Sequence, residues 1–524
     1  LDQSAALSEV IVNKAEGNSG GINITTGSLF LRNGAVLATS TFGQGNGGTI
    51  NINARDIASF DGSKVFNQVN NRATGNSGGI NITTGSLFVT NGAELFTSTY
   101  GKGNAGNVTI NARDRISLDG GELEQRFLSS KVQSRIEGSG QGQGGNIQIV
   151  TESLSATNGA YLSASTDGVG NAGNVIINAR DIYFAGKGED EFPSGAYSRV
   201  LNDAKGQGGN IQIVTESLSL TDDAIISAVL LQKAEGQGGN VQITANSLSL
   251  TNDAEVSVSS EGRGNAGNLD IKANFIRLEN QGELKAFTAA GIGGNITLSN
   301  LDLLLMRDRS LISAAALNDA NGGNITINAK DGFIVAVPSE NSDIIANAFQ
   351  GRGGNINITT EGIYGLDYRD RLTPRSEINA SSEFGVNGTV ELNTPDIDPN
   401  SGLVNLPAVP VDTQVAQTCT AGSNVAKSSF TITGRGGLPP NPGEALNADA
   451  VQVDLVTLNP EVGNTPAVYT NPINPTPTRI VEATGWVIAA NGDVILTNSA
   501  PTVTPHSSWQ RTADCRVVNQ HQEG

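Results

Sequence analysis

The chain has 524 residues, of which 65 are glycine, while only 16% are charged and 5% aromatic. A net charge of −19 with 32 Lys and Arg excludes the concentrated basic surface that nucleic acids and anionic membranes require. No apolar run approaches the roughly 20 residues that span a bilayer, so no transmembrane segment is expected. This balance is typical of a repetitive or extended protein.

A short glycine-rich motif followed by an alternating strand recurs along most of the chain. In the copy from Gly208, Ile-x-Ile, Leu-x-Leu and Ile-x-Ala place apolar residues at every second position, separated by polar or glycine-rich corners. This pattern predicts strand, turn, strand, turn and strand, without helix. The copies begin at Gly20, Gly47, Gly78, Ala105, Gly144, Ala172, Gly208, Gly238, Ala266, Gly293, Gly322 and Gly353.

One such repeat cannot bury its inward Ile and Leu alone, whereas turns stacked about 4.8 Å apart give every strand a partner above and below. The sequence therefore predicts an all-β fold, a right-handed parallel β-helix of about 12 turns over residues 1–394; the handedness follows from parallel crossovers. The asparagine after each motif is expected to stack in a structural ladder. Its members are Asn146, Asn210, Asn240, Asn295, Asn324 and Asn355.

Two insertions lengthen the same kind of turn, Glu122–Ser139 and Lys187–Lys205. Insertions in matching turns emerge from one side of a solenoid, which is often where partners bind. The alternative is that both are passive surface loops. The candidate ligand contacts within them are Arg126, Phe127, Arg135, Phe192, Tyr197 and Arg199.

Four acidic residues, Asp222, Asp223, Asp253 and Glu255, are the candidates for a calcium site or for an acid pair of the kind found in polysaccharide-active β-helices. Asp223 and Asp253 occupy one corner of consecutive turns, where other copies have glycine, so the preferred interpretation is a corner that tolerates positive φ. No basic residue recurs beside these acids, and the two histidines lie far away in the tail. We therefore predict no enzyme, no metal and no cofactor.

From about residue 394 the repeat gives way to a proline-containing linker (395–418) and a partly globular β cap (419–524). Cys419 and Cys515 predict one disulfide, with two free thiols as the alternative. Between them, Gly485–Leu496 has the pattern of a hairpin with Asn491-Gly492 in a type I′ turn.

The repeat text GNAGNVTINARD (Gly103–Asp114), with SLSLTNDA from Ser247 and SLSATNGA from Ser153, resembles that of the filamentous-haemagglutinin-like exoproteins of two-partner secretion, particularly cyanobacterial ones. The tail phrases GRGGLPPNPGEAL (Gly434–Leu446) and EATGWVIAANGDVIL (Glu482–Leu496) carry the same resemblance. It implies export through an outer-membrane β-barrel transporter and folding at the cell surface. The family's amino-terminal secretion domain is missing, so the chain is expected to be the carboxy-terminal part of a longer product.

The sequence thus predicts a secreted, outer-membrane-associated adhesin or structural rod on the bacterial surface, whose partners are surface glycans or other cells. The alternative is a polysaccharide-active enzyme similar to pectate lyases and polygalacturonases. Convergent acidic and basic groups in one groove would favour the enzyme.

Overall fold

The computed structural model describes residues 1–10, 15–123, 126–395, 485–488 and 494–497. The described residues form an all-β protein without helix, in which parallel strands stack as a β-solenoid of about 13 turns. The predicted fold class is confirmed. The alternating Ile, Val and Leu residues dictate it, because a strand with one apolar face needs a second layer to cover that face.

One strand per turn builds a long parallel sheet that runs the length of the solenoid. Each strand pairs in parallel with the strand of the next turn. Its strands are Ile22–Arg32, Ile50–Asp61, Ile80–Thr90, Val108–Asp119, Ile147–Thr157, Val175–Ala185, Ile211–Val214 with Ser217–Thr221, Val241–Thr251, Leu269–Glu279, Ile296–Ser299 with Leu303–Met306, Ile325–Ala336, Asn355–Tyr364 and Thr389–Asn393.

A second sheet, which we call the short sheet, contains one brief strand per turn and faces the long sheet across the core. Its strands are Ala5–Leu7, Val36–Ala38, Lys64–Val69, Glu94–Thr99, Lys131–Ile136, Tyr161–Ser163, Gly195–Tyr197, Ile225–Ser227, Glu255–Ser257, Glu283–Lys285, Leu311–Ser313, Asp343–Ile345, Glu377–Asn379 and Asp367–Tyr368. The last of these adds to the far side of Glu377–Asn379, although it precedes that strand in the chain.

The prediction of three separate strands holds for the copy from Gly208, with Ile211–Val214, Ser217–Thr221 and Ile225–Ser227, but it was wrong for most turns. In most turns Ile-x-Ile and Leu-x-Leu belong to one continuous strand that bends between them, where the inter-turn register often shifts. Among the described strands of the long sheet, only those of Ile211–Thr221 and Ile296–Met306 are interrupted at this bend. The third side of the coil holds mainly isolated bridges, such as Leu230 with Ser260, and one pair of short strands, Lys205–Gln207 and Glu235–Gln237.

Register keeps like residues above like residues throughout the core. One isoleucine column runs from Ile52 through Ile82 to Ile110 in three successive turns, and all three residues are at most 2% exposed. A buried aliphatic side chain contributes about 1.5–3 kcal/mol relative to an exposed one. The core is therefore one continuous stack rather than a set of separate domains.

A column of glycines, one or two residues before each strand of the long sheet after the first, lets successive turns approach closely. A Cβ at any of them would lie 1.8–2.1 Å from the carbonyl oxygen of the glycine one turn before. This close approach explains why the repeat keeps a glycine here. The column comprises Gly48, Gly78, Gly106, Gly145, Gly173, Gly209, Gly239, Gly267, Gly294, Gly323, Gly354 and Gly388.

Gly388, the last member of that column, marks a thirteenth turn that the repeat pattern did not predict. The thirteenth strand of the long sheet, Thr389–Asn393, follows Gly388, but the preceding residue is Asn387 rather than a second glycine or an alanine. The array was predicted to end at residue 394, one residue beyond this strand.

In the carboxy-terminal region, Gly485–Ile488 and Val494–Thr497 pair antiparallel, with Trp486 opposite Leu496. These strands are those of the predicted hairpin. The Asn491-Gly492 turn, residues 396–418 of the predicted linker, and both Cys419 and Cys515 lie outside the described residues, and the disulfide stays a prediction.

Candidate groove on the short sheet

The asparagines that follow the glycine column form a hydrogen-bonded ladder on the long-sheet edge. The Oδ1 atom of each but the last accepts the backbone N–H of its counterpart one turn later, at N–O distances of 2.8–3.2 Å. These side chains therefore supply the acceptor that a neighbouring backbone needs. The ladder runs through Asn107, Asn146, Asn174, Asn210, Asn240, Asn268, Asn295, Asn324 and Asn355.

The acidic corner residues are held by local contacts. Asp222, Asp223 and Asp253 have φ values of 54°, 66° and 63°, the left-handed region that Asp tolerates better than most residues. The Nδ2 of Asn252 donates to Asp222 Oδ1 at 2.8 Å, and Lys187 Nζ lies 3.5 Å from Asp223 Oδ2. Among the described residues, no three His, Cys, Asp or Glu side chains gather as a metal site.

Glu255 belongs to a different environment from these aspartates. It lies on the outward face of the short sheet, where its Oε2 is 3.0 Å from Lys285 Nζ, and Glu283 forms an ion pair with the same ammonium. Burial lowers the pKa of Lys285, but the two carboxylates outweigh it and raise the pKa above its usual value. The expectation that no basic residue accompanies the acids was therefore wrong for Glu255, and also for Asp223, which Lys187 approaches.

The two insertions are shorter than predicted, because their second halves are regular strands. Lys131–Ile136 and Gly195–Tyr197 both belong to the short sheet. In the first insertion the backbone of Arg126–Leu128 pairs antiparallel with Gly121–Leu123; the side chains of Arg126 and Phe127 lie outside the described part. A contact of 3.4 Å between Ser129 Oγ and Asp190 Oδ2 joins the two loops.

The second loop folds an aromatic cluster onto the outward face of the short sheet. Phe192 lies 4.6 Å from Tyr161 and 5.3 Å from Tyr197, measured between ring centroids. The Tyr197 hydroxyl donates to the carbonyl oxygen of Pro193 at 2.6 Å, which ties the loop to the strand. Burial raises the pKa of Tyr161 to about 12 and also raises that of Tyr197, so both phenols are neutral hydrogen-bonding groups.

Arg199 lies against this cluster. Its guanidinium carbon is 4.1 Å from the ring centroid of Tyr197 and 5.3 Å from that of Phe192, a geometry in which the ring faces attract the cation. Burial lowers the pKa of Arg199, yet an arginine remains charged under physiological conditions. The loop and the strand thus place two rings and one cation together.

Beside Arg199 a groove of about 500 Å³ crosses several turns of the short sheet. Its floor is made of outward-facing serines, Ser227, Ser257, Ser259 and Ser313, each at most 6% exposed. The remaining lining includes Pro193 and Tyr197 at one end, Phe287 and Leu311 at the other, and the charged residues Arg199, Glu255, Glu261 and Lys285. Hydroxyl, aromatic and charged groups therefore share one concave surface.

Arg135 lies outside this groove, and two carboxylates balance the charge of its guanidinium. Its Nε is 3.3 Å from Glu137 Oε2 and its Nη2 is 3.3 Å from Asp167 Oδ2. Burial raises the pKa of Glu137, although Arg135 partly offsets that effect. Of the six predicted contact residues, the structure brings together Phe192, Tyr197 and Arg199. Lys285 and Phe287 were not predicted, although they lie one turn after Ser257 and Ser259 at the equivalent positions of the short sheet.

The fold and the groove together define this molecule as a parallel β-solenoid with a polar and aromatic cleft on one sheet. No protein-family model matches the chain, and neither the curated proteins nor the solved structures contain a match. No helix in the described residues is long and apolar enough to cross a membrane.

Proposed function

We propose that the protein is a surface rod that binds glycans in the groove of the short sheet without cleaving them, and so acts as an adhesin. The observation that carries this proposal is the groove itself, in which the aromatic side chains of Tyr197 and Phe287 stand beside a floor of serine hydroxyls. Ligand sites typically combine such apolar walls with a few placed polar groups.

The solenoid suits this role because it holds the groove on regular strands. Ser227, Ser257 and Ser313 follow one another through the paired register of the sheet, with Lys285 between the last two. Sites on regular elements are positioned more precisely than sites on loops. Secretion by two-partner export, through an outer-membrane β-barrel transporter, is part of the proposal and is supported by the resemblance of the repeat and tail phrases alone.

A polysaccharide-active enzyme is the second candidate, and one observation favours it. Glu255 and Lys285 form a close acid–base pair inside the groove, which is the convergence that such an enzyme needs. Against it, the ammonium of Lys285 engages both Glu255 and Glu283, so the acid and the base are held by each other rather than directed at a substrate. We therefore rank the non-catalytic rod first.

The first experiment incubates the purified chain with a polysaccharide panel and records retained protein and released reducing ends in the same samples. Retention without product supports the adhesin, and product that disappears in the Glu255→Gln variant supports the enzyme.

The groove is tested with Phe287→Ser, which should weaken retention because Phe287 lines the groove. Phe275→Ser is the matched control, because Phe275 is 51% exposed on the long sheet. Equal retention by both variants would contradict the assignment of the groove.

A further inference from the structure

Arg199 is distinguished by the absence of a counter-charge. Its Nε atom is buried and has no hydrogen-bond partner, and none of the described carboxylates lies within 4.0 Å of its guanidinium. Two other arginine Nε atoms in the described part are buried without a hydrogen bond, those of Arg135 and Arg369. Each of these faces a carboxylate oxygen at 3.3 Å.

A guanidinium removed from water without a partner is unfavourable, because the ring faces of Tyr197 and Phe192 replace only part of its hydration. The planar fork of arginine matches a carboxylate through two parallel hydrogen bonds. Arg199 lines the groove and is only partly buried as a whole residue, so a ligand carboxylate that meets the accessible part of its guanidinium would supply the missing charge and acceptors.

We propose that the groove binds glycans that carry an acidic sugar, with the carboxylate of that sugar on the guanidinium of Arg199. This inference rests on the proposed glycan-binding function and names its ligand class. The pyranose ring would lie beside the Tyr197 ring, which lines the same end of the groove.

The rest of the groove limits how much negative charge the ligand carries. Glu255 and Glu261 line it beyond the serine floor, and the single ammonium of Lys285 is already engaged by Glu255 and Glu283. A second ligand carboxylate at that end would meet like charge, which is unfavourable. The glycan is therefore an otherwise neutral oligosaccharide with one acidic sugar, rather than a polyanion.

The test measures binding of the full chain to uronic-acid and sialic-acid oligosaccharides, each paired with its carboxyl-reduced counterpart. A neutral oligosaccharide with one sulfate ester is the third probe. We expect the acidic member of at least one pair to bind about tenfold or more tighter than its reduced form, since hydrogen bonds to a charged group are the strong ones. The binding should weaken as salt is raised.

Arg199→Gln should remove the preference for the acidic member, and Arg199→Lys should keep part of it, because the charge remains without the fork. Arg263→Gln is the control, since Arg263 is an exposed arginine next to Glu235 outside the groove. Unchanged circular dichroism and melting temperature establish that each variant folds, and the salt titration of the unaltered chain gives an answer without any variant.

Equal binding of acidic and reduced members overturns this inference and leaves the glycan-binding proposal standing. Binding of the sulfated probe alone overturns the carboxylate assignment. Absence of binding to every oligosaccharide, acidic or neutral, overturns both proposals.

Discussion

A single added methyl group at the glycine column should disrupt the stacking of the turns. In Gly239→Ala the new Cβ would lie 1.9 Å from the carbonyl oxygen of Gly209, whereas ordinary van der Waals contact begins at 3.4 Å. The obstructing atom belongs to the backbone and cannot rotate away. The two turns must therefore separate locally for the methyl group to fit.

The separation would break the nearest inter-turn hydrogen bonds, those from Ile211 N to Asn240 O at 2.9 Å and from Asn240 N to Asn210 Oδ1 at 3.0 Å. Each contributes about 1 kcal/mol net, and residual overpacking adds about 1–3 kcal/mol. We expect the free energy of unfolding to fall by about 3 kcal/mol or more. Because solenoid repeats unfold partly independently, the loss should concentrate in the turns on either side.

The assay is denaturant unfolding followed by far-ultraviolet circular dichroism, with hydrogen exchange to locate the change. Gly27→Ala is the control, because its Cβ would meet nothing closer than 3.6 Å. The same small effect in both variants would refute the close-approach explanation for the glycine column.

Two further predictions concern the ladder and a buried acid. Asn240→Ala removes the Oδ1 atom that accepts the backbone N–H of Asn268 at 2.8 Å, and should lower the free energy of unfolding by about 1 kcal/mol. Asn240→Asp keeps an acceptor oxygen, so its free energy of unfolding should fall less in the same denaturation assay. Burial, with the nearby charge of Glu377, raises the pKa of Asp343 to about 6 from 3.8, although the backbone N–H of Glu377 partly offsets this. The folded state then holds this proton more tightly than the unfolded state, so stability should fall as pH rises from about 4 to 6. Asp343→Asn should remove this component and raise the melting temperature at pH 7; a parallel pH profile in both proteins would contradict the assignment.

The alternation of apolar residues was sufficient to predict the parallel solenoid, because burying one face of every strand leaves few other arrangements. It did not distinguish a turn from a bend within Ile147–Thr157. Both halves of that strand bury every second residue, and the choice between a corner and a bend depends on pairing with neighbouring turns. Gly388 was missed for a related reason, since one glycine without its usual neighbour is a weak local signal.

The candidate site was only partly predictable, because it is assembled by stacking rather than by local sequence. Phe192, Tyr197 and Arg199 stand out as bulky residues in a glycine- and serine-rich chain. Lys285 and Glu255 are 30 residues apart, and only the register of the short sheet brings them together. Comparing outward positions turn by turn, rather than corners alone, would have revealed the pair.

The repeat itself provides the reference against which the groove is recognised. At the outward positions of the short sheet, two turns carry a pair of serines whose hydroxyls lie 2.8 Å apart, Ser163 with Ser165 and Ser257 with Ser259. Other turns carry larger residues there, such as Lys285 opposite Ser257. At the equivalent positions one turn has Tyr197 and Arg199, and the same turn carries the loop with Phe192. A turn that only had to stack needs neither the ring, the cation nor the loop. What sets this turn apart is that Tyr197, Arg199 and the loop residue Phe192 contact one another, which is the pattern expected when a structural repeat acquires a binding site.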